Sequence, residues 1–348
     1  MAQSKQQSVQ QDESQQWRDK PIVLPWLKER WEYLQGLNTQ GRLPHALLIN
    51  GPLGIGKAPF SRALAHYMLC KEPTNGQNCG RCRSCELTAS GGHPDLFVLH
   101  PDEPGKPIKV DQIRELSEFI YSTAQQGGYR VVIIDPADSM NVNAANALLK
   151  MLEEPGKDTL LLLLTHRLGQ MLPTIKSRCQ RLDMPPADIE LATQWVSTQL
   201  EMSTEEARQL LVIAHNSPLQ ALAYKNDDLL GLRAKVLKGL ADILKHRNTP
   251  LQVAQGLHKE DLEIILGWLY GWLLDIARAA SSDADPELLR HNDVQNMLIA
   301  IARKVGSQRL FQFADRVHEM RKDLMFRRNP NKQLLLETIL IEWQGLLR

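Results

Sequence analysis

The sequence has no long hydrophobic run. Its longest, Ile264–Leu274, falls well short of the roughly 18 apolar residues that a membrane-spanning helix requires. It has almost no net charge: 41 Lys and Arg against 40 Asp and Glu leave +1 at pH 7. That excludes a global field pulling the chain onto nucleic acid or anionic lipid, so any such contact rests on a local patch or on partners. The opening "MAQSKQQSVQQDESQQ" lacks the apolar core of a signal peptide. Residues 1–16 are instead expected to be a disordered Gln- and Ser-rich tail. Cytoplasm is the expected location, where cysteines serve as thiols or metal ligands rather than in disulfides.

At 43% hydrophobic and 23% charged residues, the composition is that of an ordinary globular protein. A chain of 348 residues exceeds one compact core, so two or three domains are expected. From "HALLINGP" to "RLDMPP" short apolar runs alternate with helical stretches. Candidate strands are 46–50, 96–100, 130–135 and 159–165, with helices at 57–70, 110–123 and 144–153. Such alternation argues for a parallel sheet covered on both faces. Pro185-Pro186 breaks the pattern, and only amphipathic helices follow, at 189–200 and 204–215, then at 229–246, 261–280, 293–305, 309–326 and 332–347.

The first strand runs into "GPLGIGKAPF", which matches a G-x-x-x-x-G-K phosphate loop at Gly51, Gly56 and Lys57. A Gly-rich turn opening a helix aims backbone N–H groups and a helix dipole at a phosphate, and Lys57 has the reach to add its charge. Where a Ser or Thr would ligate Mg²⁺, the chain has Ala58. Asp135 ends the apolar strand "VVIID", the place of a metal-organising acid. The residue that would orient attacking water is Pro136, and Asp138 is displaced by three positions. Phosphoryl transfer needs both metal and water in place. The expectation is a loop that does not hydrolyse ATP, with weak nucleotide binding left open.

Four of the five cysteines crowd into "CKEPTNGQNCGRCRSC" as Cys70, Cys79, Cys82 and Cys85. Paired thiolates two residues apart suit one tetrahedral ion, and Zn²⁺ is the usual occupant of a four-thiolate site. With no open coordination position the ion would be structural. Arg81 and Arg83 would offset its excess negative charge. Four unrelated reduced thiols are the plainer alternative. A zinc knuckle reading nucleic acid is another, weakened by the lack of any aromatic residue between Cys70 and Cys85.

The phosphate loop with its cysteine insertion, "NAANALLKMLEEP" (143–155) and "MLPTIKSRCQR" (171–181) together resemble the AAA+ subunits of bacterial DNA polymerase III clamp loaders. The degenerate nucleotide motifs, the C-terminal "NPNKQLLLETIL" and an end near residue 348 are similar to the non-hydrolysing branch of that family. The resemblance implies an α/β P-loop (AAA+, RecA-like) parallel-sheet domain at 17–185 carrying a zinc-binding insertion at 70–85. A small helical lid (186–228) and an all-α collar for oligomerisation (229–348) would follow. It implies assembly with tau/gamma ATPase subunits, the delta subunit, the beta sliding clamp and primer-template DNA, to load the clamp during DNA replication. It also implies that Ser177, Arg178 and Cys179 form a motif reaching a neighbour's ATP site, with Arg178 as an arginine finger in trans. An ordinary surface Arg paired with a carboxylate is the competing reading. Thr165 would occupy a sensor position or simply cap its strand, and Leu219 stands where active relatives carry a sensing arginine.

In the C-terminal region "EIILGWLYGWLLDIA" is apolar on nearly all faces, which marks a buried helix. Trp268 and Trp272 are either interface anchors or core. The basic stretch "MRKDLMFRRNPNK" is either a solvated helix end or a contact for DNA or a partner. Two other functions compete with a clamp-loader role: an autonomous AAA+ ATPase with unusual metal ligation, and a zinc-dependent nucleic-acid-binding adaptor.

Overall fold

Each of the four apolar runs forms a strand: β1 (Ala46–Asn50), β2 (Leu96–Leu99), β3 (Arg130–Ile134) and β4 (Thr159–Thr165). A fifth, β5 (Gln180–Asp183), has no counterpart among the expected strands. Its sequence QRLD buries only Leu182, so it carries no apolar run to read. All pairings are parallel, in the order β2-β3-β4-β1-β5. In this RecA-like order β4 lies between the strand entering the phosphate loop and the strand leading to Asp135. Every residue of "TLLLLLT" in β4 is buried, as a central strand covered on both faces requires.

The computed structural model describes residues 19–103, 105–226, 229–281, 289–325 and 331–347. They divide into two compact units. The first holds the sheet and comprises the chain up to Leu200 together with Asn216–Leu222. Its core joins Leu48, Val132, Ile134, Leu161 and Leu163 of the strands to Ile113, Leu116, Ile120, Leu148 and Leu152 of the helices Val110–Tyr121 and Val142–Glu153. The latter helix begins two residues earlier than its apolar pattern suggests. Asn141 caps it, its side-chain oxygen accepting from Ala144 N–H at 2.8 Å.

Glu201–His215 and Ala223 onward form the second unit, which is helical throughout its described residues. Its longest helix among the described residues, Leu262–Ser281, buries Trp268 and Trp272 completely. Both are core residues. The Arg233 guanidinium lies 5.3 Å from the centre of the Trp272 ring and pairs with Asp293. Trp343 is also buried and donates from Nε1 to Leu240 O at 3.1 Å. Residues 186–228 contribute to both units. The tail at 1–16 and positions 326–330 of the basic stretch lie outside the described residues.

Candidate nucleotide, arginine and metal sites

At the C-terminal ends of the parallel strands, Asn50 pairs with Thr165 on one side and Asp183 on the other. The registers therefore bring Gly51, Asp135 and Thr165 to one edge, where open α/β sheets bind ligands. The phosphate loop turns there through Gly54 (φ +74°) and Gly56 (φ +104°), conformations that favour glycine. A Cβ on Gly56 would stand 2.5 Å from Leu24 Cδ1, and one on Gly54 2.9 Å from the Gln220 backbone nitrogen. Trp26 Nε1 donates to Ile55 O at 2.9 Å, and Leu219 N–H to Gly54 O at 3.0 Å. The Lys57 ammonium donates to Gly51 O and Pro52 O, both at 2.7 Å. The loop is thus braced by the chain's own groups, including the lysine expected to meet a phosphate.

Asp135 follows β3, 8% exposed, and its carbonyl accepts from His100 Nδ1 at 2.7 Å. Asp138, the displaced acid, is hydrogen-bonded within the chain. Its Oδ1 accepts from the Thr165 hydroxyl at 2.7 Å and from His166 N–H at 3.3 Å. The same Thr165 oxygen accepts from Arg167 N–H at 3.1 Å. Its hydroxyl is committed as donor and acceptor.

Ser177, Arg178 and Cys179 follow the short helix Pro173–Lys176 and precede β5. They therefore sit at the N-terminal edge of the sheet, separated from the phosphate loop's edge by the length of a strand, about 3.3 Å per residue. Ser177 Oγ donates to Thr174 O at 3.0 Å. Cys179 is buried, and burial pushes its thiol up to about 12, which keeps it unreactive. Arg178, between them, has a side chain 36% exposed. Its Nε and Nη2 lie 2.8 and 2.6 Å from Glu153 Oε1, and Nη1 donates to Thr174 O at 3.1 Å. Glu153 ends the helix Val142–Glu153. Nothing in the "LLKMLEEP" segment that contains this acid marks it for a role.

The four cysteines converge as their spacing predicts. All four Sγ atoms lie within 4.8 Å of one another, with Cys70 to Cys82 at 4.0 Å and Cys79 to Cys85 at 3.9 Å. Metal–sulfur bonds of about 2.3 Å in a tetrahedron put sulfurs about 3.8 Å apart, so the donor set fits one ion. Cys79 N–H donates to Cys70 Sγ at 3.2 Å and Cys82 N–H to Cys79 Sγ at 3.4 Å, contacts that favour thiolate. Burial pushes Cys70 up to about 12 and raises Cys85, a cost that a dication at the centre would offset. Arg81 and Arg83 are exposed and pair with Glu72 and Glu86.

Beside the cysteines lies a chain of buried polar groups that the sequence did not announce. Ser84 Oγ donates to Leu69 O and meets His93 Nε2, both at 2.6 Å. His93 Nδ1 accepts from Asp95 N–H at 3.0 Å, so the ring carries its proton on Nε2 and donates to Ser84. Burial lowers His93, which favours this neutral form. A catalytic serine would need the reverse polarity. The chain is structural: the Asp95 carboxylate accepts from Gln125 and Gln126 N–H, both at 2.8 Å, and ties the module to the sheet.

Residues 26–188 match the family described as DNA polymerase III, delta subunit, and residues 227–345 match the family describing the C-terminal part of that subunit. The chain is 37% identical over 325 residues to DNA polymerase III subunit delta' of Pseudomonas aeruginosa, covering 93% of this chain and 98% of the relative. Against the subunit delta' of Escherichia coli K12 it is 31% identical over 324 residues, covering 93% and 96%. The subunit delta' of Yersinia pestis is likewise 31% identical over 328 residues, again covering 93% and 96%. With the likeness spanning nearly the whole length of each relative, the chain belongs to the DNA polymerase III subunit delta' family.

Proposed function

We propose that this chain is the non-hydrolysing subunit of a DNA polymerase III clamp loader, working in the cytoplasm during DNA replication. It assembles with gamma/tau-type ATPase subunits and the delta subunit to place a sliding clamp on primed DNA. On this reading residues 17–185, 186–228 and 229–348 act as AAA+ domain, lid and oligomerising collar, and the four cysteines hold a structural Zn²⁺. Arg178 completes a neighbour's ATP site in trans, flanked by Ser177 and Cys179.

One observation carries the reading. Arg178 lies at the end of the sheet opposite its own phosphate loop, and its partly exposed guanidinium is held by Glu153 and Thr174 rather than by that loop. The loop in turn has Ala58 for the metal ligand, Pro136 for the water-orienting acid, and Lys57 engaged with its own carbonyls. Such a chain has a cation to give and lacks the means of cleaving a triphosphate. A guanidinium supplied in trans stabilises charge developing on the transferred phosphoryl group and is worth about a thousand-fold or more at that site.

The test reconstitutes the chain with its ATPase subunits, the delta subunit, the clamp and primed DNA. Arg178→Ala is expected to leave the ring assembled while removing the completed site's share of ATP turnover and lowering clamp loading. Lys57→Ala is expected to change turnover little. Equal loss from both variants would refute the division of labour.

A further inference from the structure

The finger reading leaves open what the Arg178 guanidinium does before a triphosphate reaches it. All three of its nitrogens are engaged within the chain. Nε and Nη2 share Oε1 of Glu153, and Nη1 takes Thr174 O at 3.1 Å. Both side chains are substantially exposed, Arg178 at 36% and Glu153 at 50%. Water therefore screens the pair, and it separates at small cost.

We propose that Glu153 is a positioning residue that holds Arg178 in the unassembled chain and competes with the neighbour's triphosphate for the guanidinium. The proposal rests on the finger reading and adds its regulation. A carboxylate and a phosphate offer Arg the same thing, anionic oxygens spaced for a planar fork of donors. Glu153 thus occupies the guanidinium with the chemistry of its eventual ligand. The exchange replaces a single carboxylate by a more highly charged anion. It goes forward only when a triphosphate is presented at this edge. Between partners Glu153 and Thr174 hold the arginine against the Pro173–Lys176 helix for part of the time. While Glu153 holds it, only part of the population is competent, and apparent affinity at the completed site falls by that fraction.

Glu153→Gln keeps the size and an acceptor oxygen but removes the charge. In the reconstituted complex it is expected to lower KM for ATP at the site completed by this chain by about two- to five-fold, the range an exposed ion pair commands. The kcat is expected to stay unchanged. Paired with Arg178→Ala, the same substitution is expected to change nothing further. In the free chain, the Arg178 Nε–H signal in ¹⁵N NMR is expected to exchange faster with water once Glu153 is Gln, a readout independent of turnover. An unchanged or raised KM in Glu153→Gln overturns the proposal. So does a loss of kcat resembling that of Arg178→Ala, which would mean that Glu153 presents the finger instead of restraining it. Normal turnover in the single variant Arg178→Ala would remove the finger reading itself, and the Glu153 arm cannot imitate that result.

Discussion

The Thr165 hydroxyl donates to Asp138 at 2.7 Å, joining the end of β4 to the turn after β3. Two groups of the kind that serve nucleotide chemistry satisfy each other. Thr165 is fully buried and the Asp138 side chain is 4% exposed, so removing one leaves the other short of a buried partner. Asp138→Ala is therefore expected to lower the free energy of unfolding by about 1–3 kcal/mol, the cost of stranding a buried hydroxyl and the His166 N–H. Urea titration of the two chains measures it. If Asp138 were a catalytic base, the substitution would leave stability alone and lower ATP turnover instead.

The cysteine cluster makes a stoichiometric prediction. Elemental analysis of the purified chain is expected to give one zinc per chain, and Cys82→Ser to reduce it sharply. Removing the ion leaves the Cys70–Cys85 loop without its central link. Proteases are then expected to cut within it, while the sheet persists on its own core. Metal-free chain that resists proteolysis there would show that the cysteines are merely neighbours.

Stability is expected to fall in mild acid, in part through His66. This residue is 8% exposed, and burial, then the nearby Arg62 and His93, lower it from 6.5 to about 4. The unfolded chain takes up a proton near pH 6.5, whereas the folded chain resists until about pH 4. Stability is therefore full above pH 6.5 and is lost as the pH falls through that window, on the order of 3 kcal/mol for this group. His66→Gln is expected to flatten the pH dependence of urea midpoints between pH 7 and 4.5. A variant with the wild-type slope would assign the acid sensitivity to other groups.

Trp272 separates core from interface in the helical unit. It has no exposure and carries Arg233 against its face. Trp272→Ala is expected to cost about 3–5 kcal/mol of that unit's stability, seen as an earlier transition in calorimetry of the isolated subunit. A tryptophan used mainly to anchor partners would weaken assembly without lowering that transition.

What the sequence disclosed follows from how each signal is written. β1, β3 and β4 are runs of consecutive aliphatic residues, since a central parallel strand is covered on both faces. The cysteine site is set by local spacing and converged as expected. β5 is illegible because an edge strand such as QRLD buries a single residue. The helix Lys28–Thr39 is equally obscure: only Trp31 and Leu34 of "KERWEYLQGLNT" are buried. Glu153 and Arg178 lie 25 positions apart, and Ser84 with His93 and Asp95 forms a unit only once the chain has turned around the cysteines. Pairings of that kind are products of tertiary structure and have no periodicity to read.

The bracing of the phosphate loop has a bearing on timing. With Lys57 on Gly51 and Pro52, Trp26 on Ile55 and Leu219 on Gly54, the loop is held by groups of the chain itself. In the proposed role, this loop would then hold one shape while adjoining subunits bind and release ATP. The cadence of loading would belong to those neighbours, and this chain would serve as the fixed post against which they move.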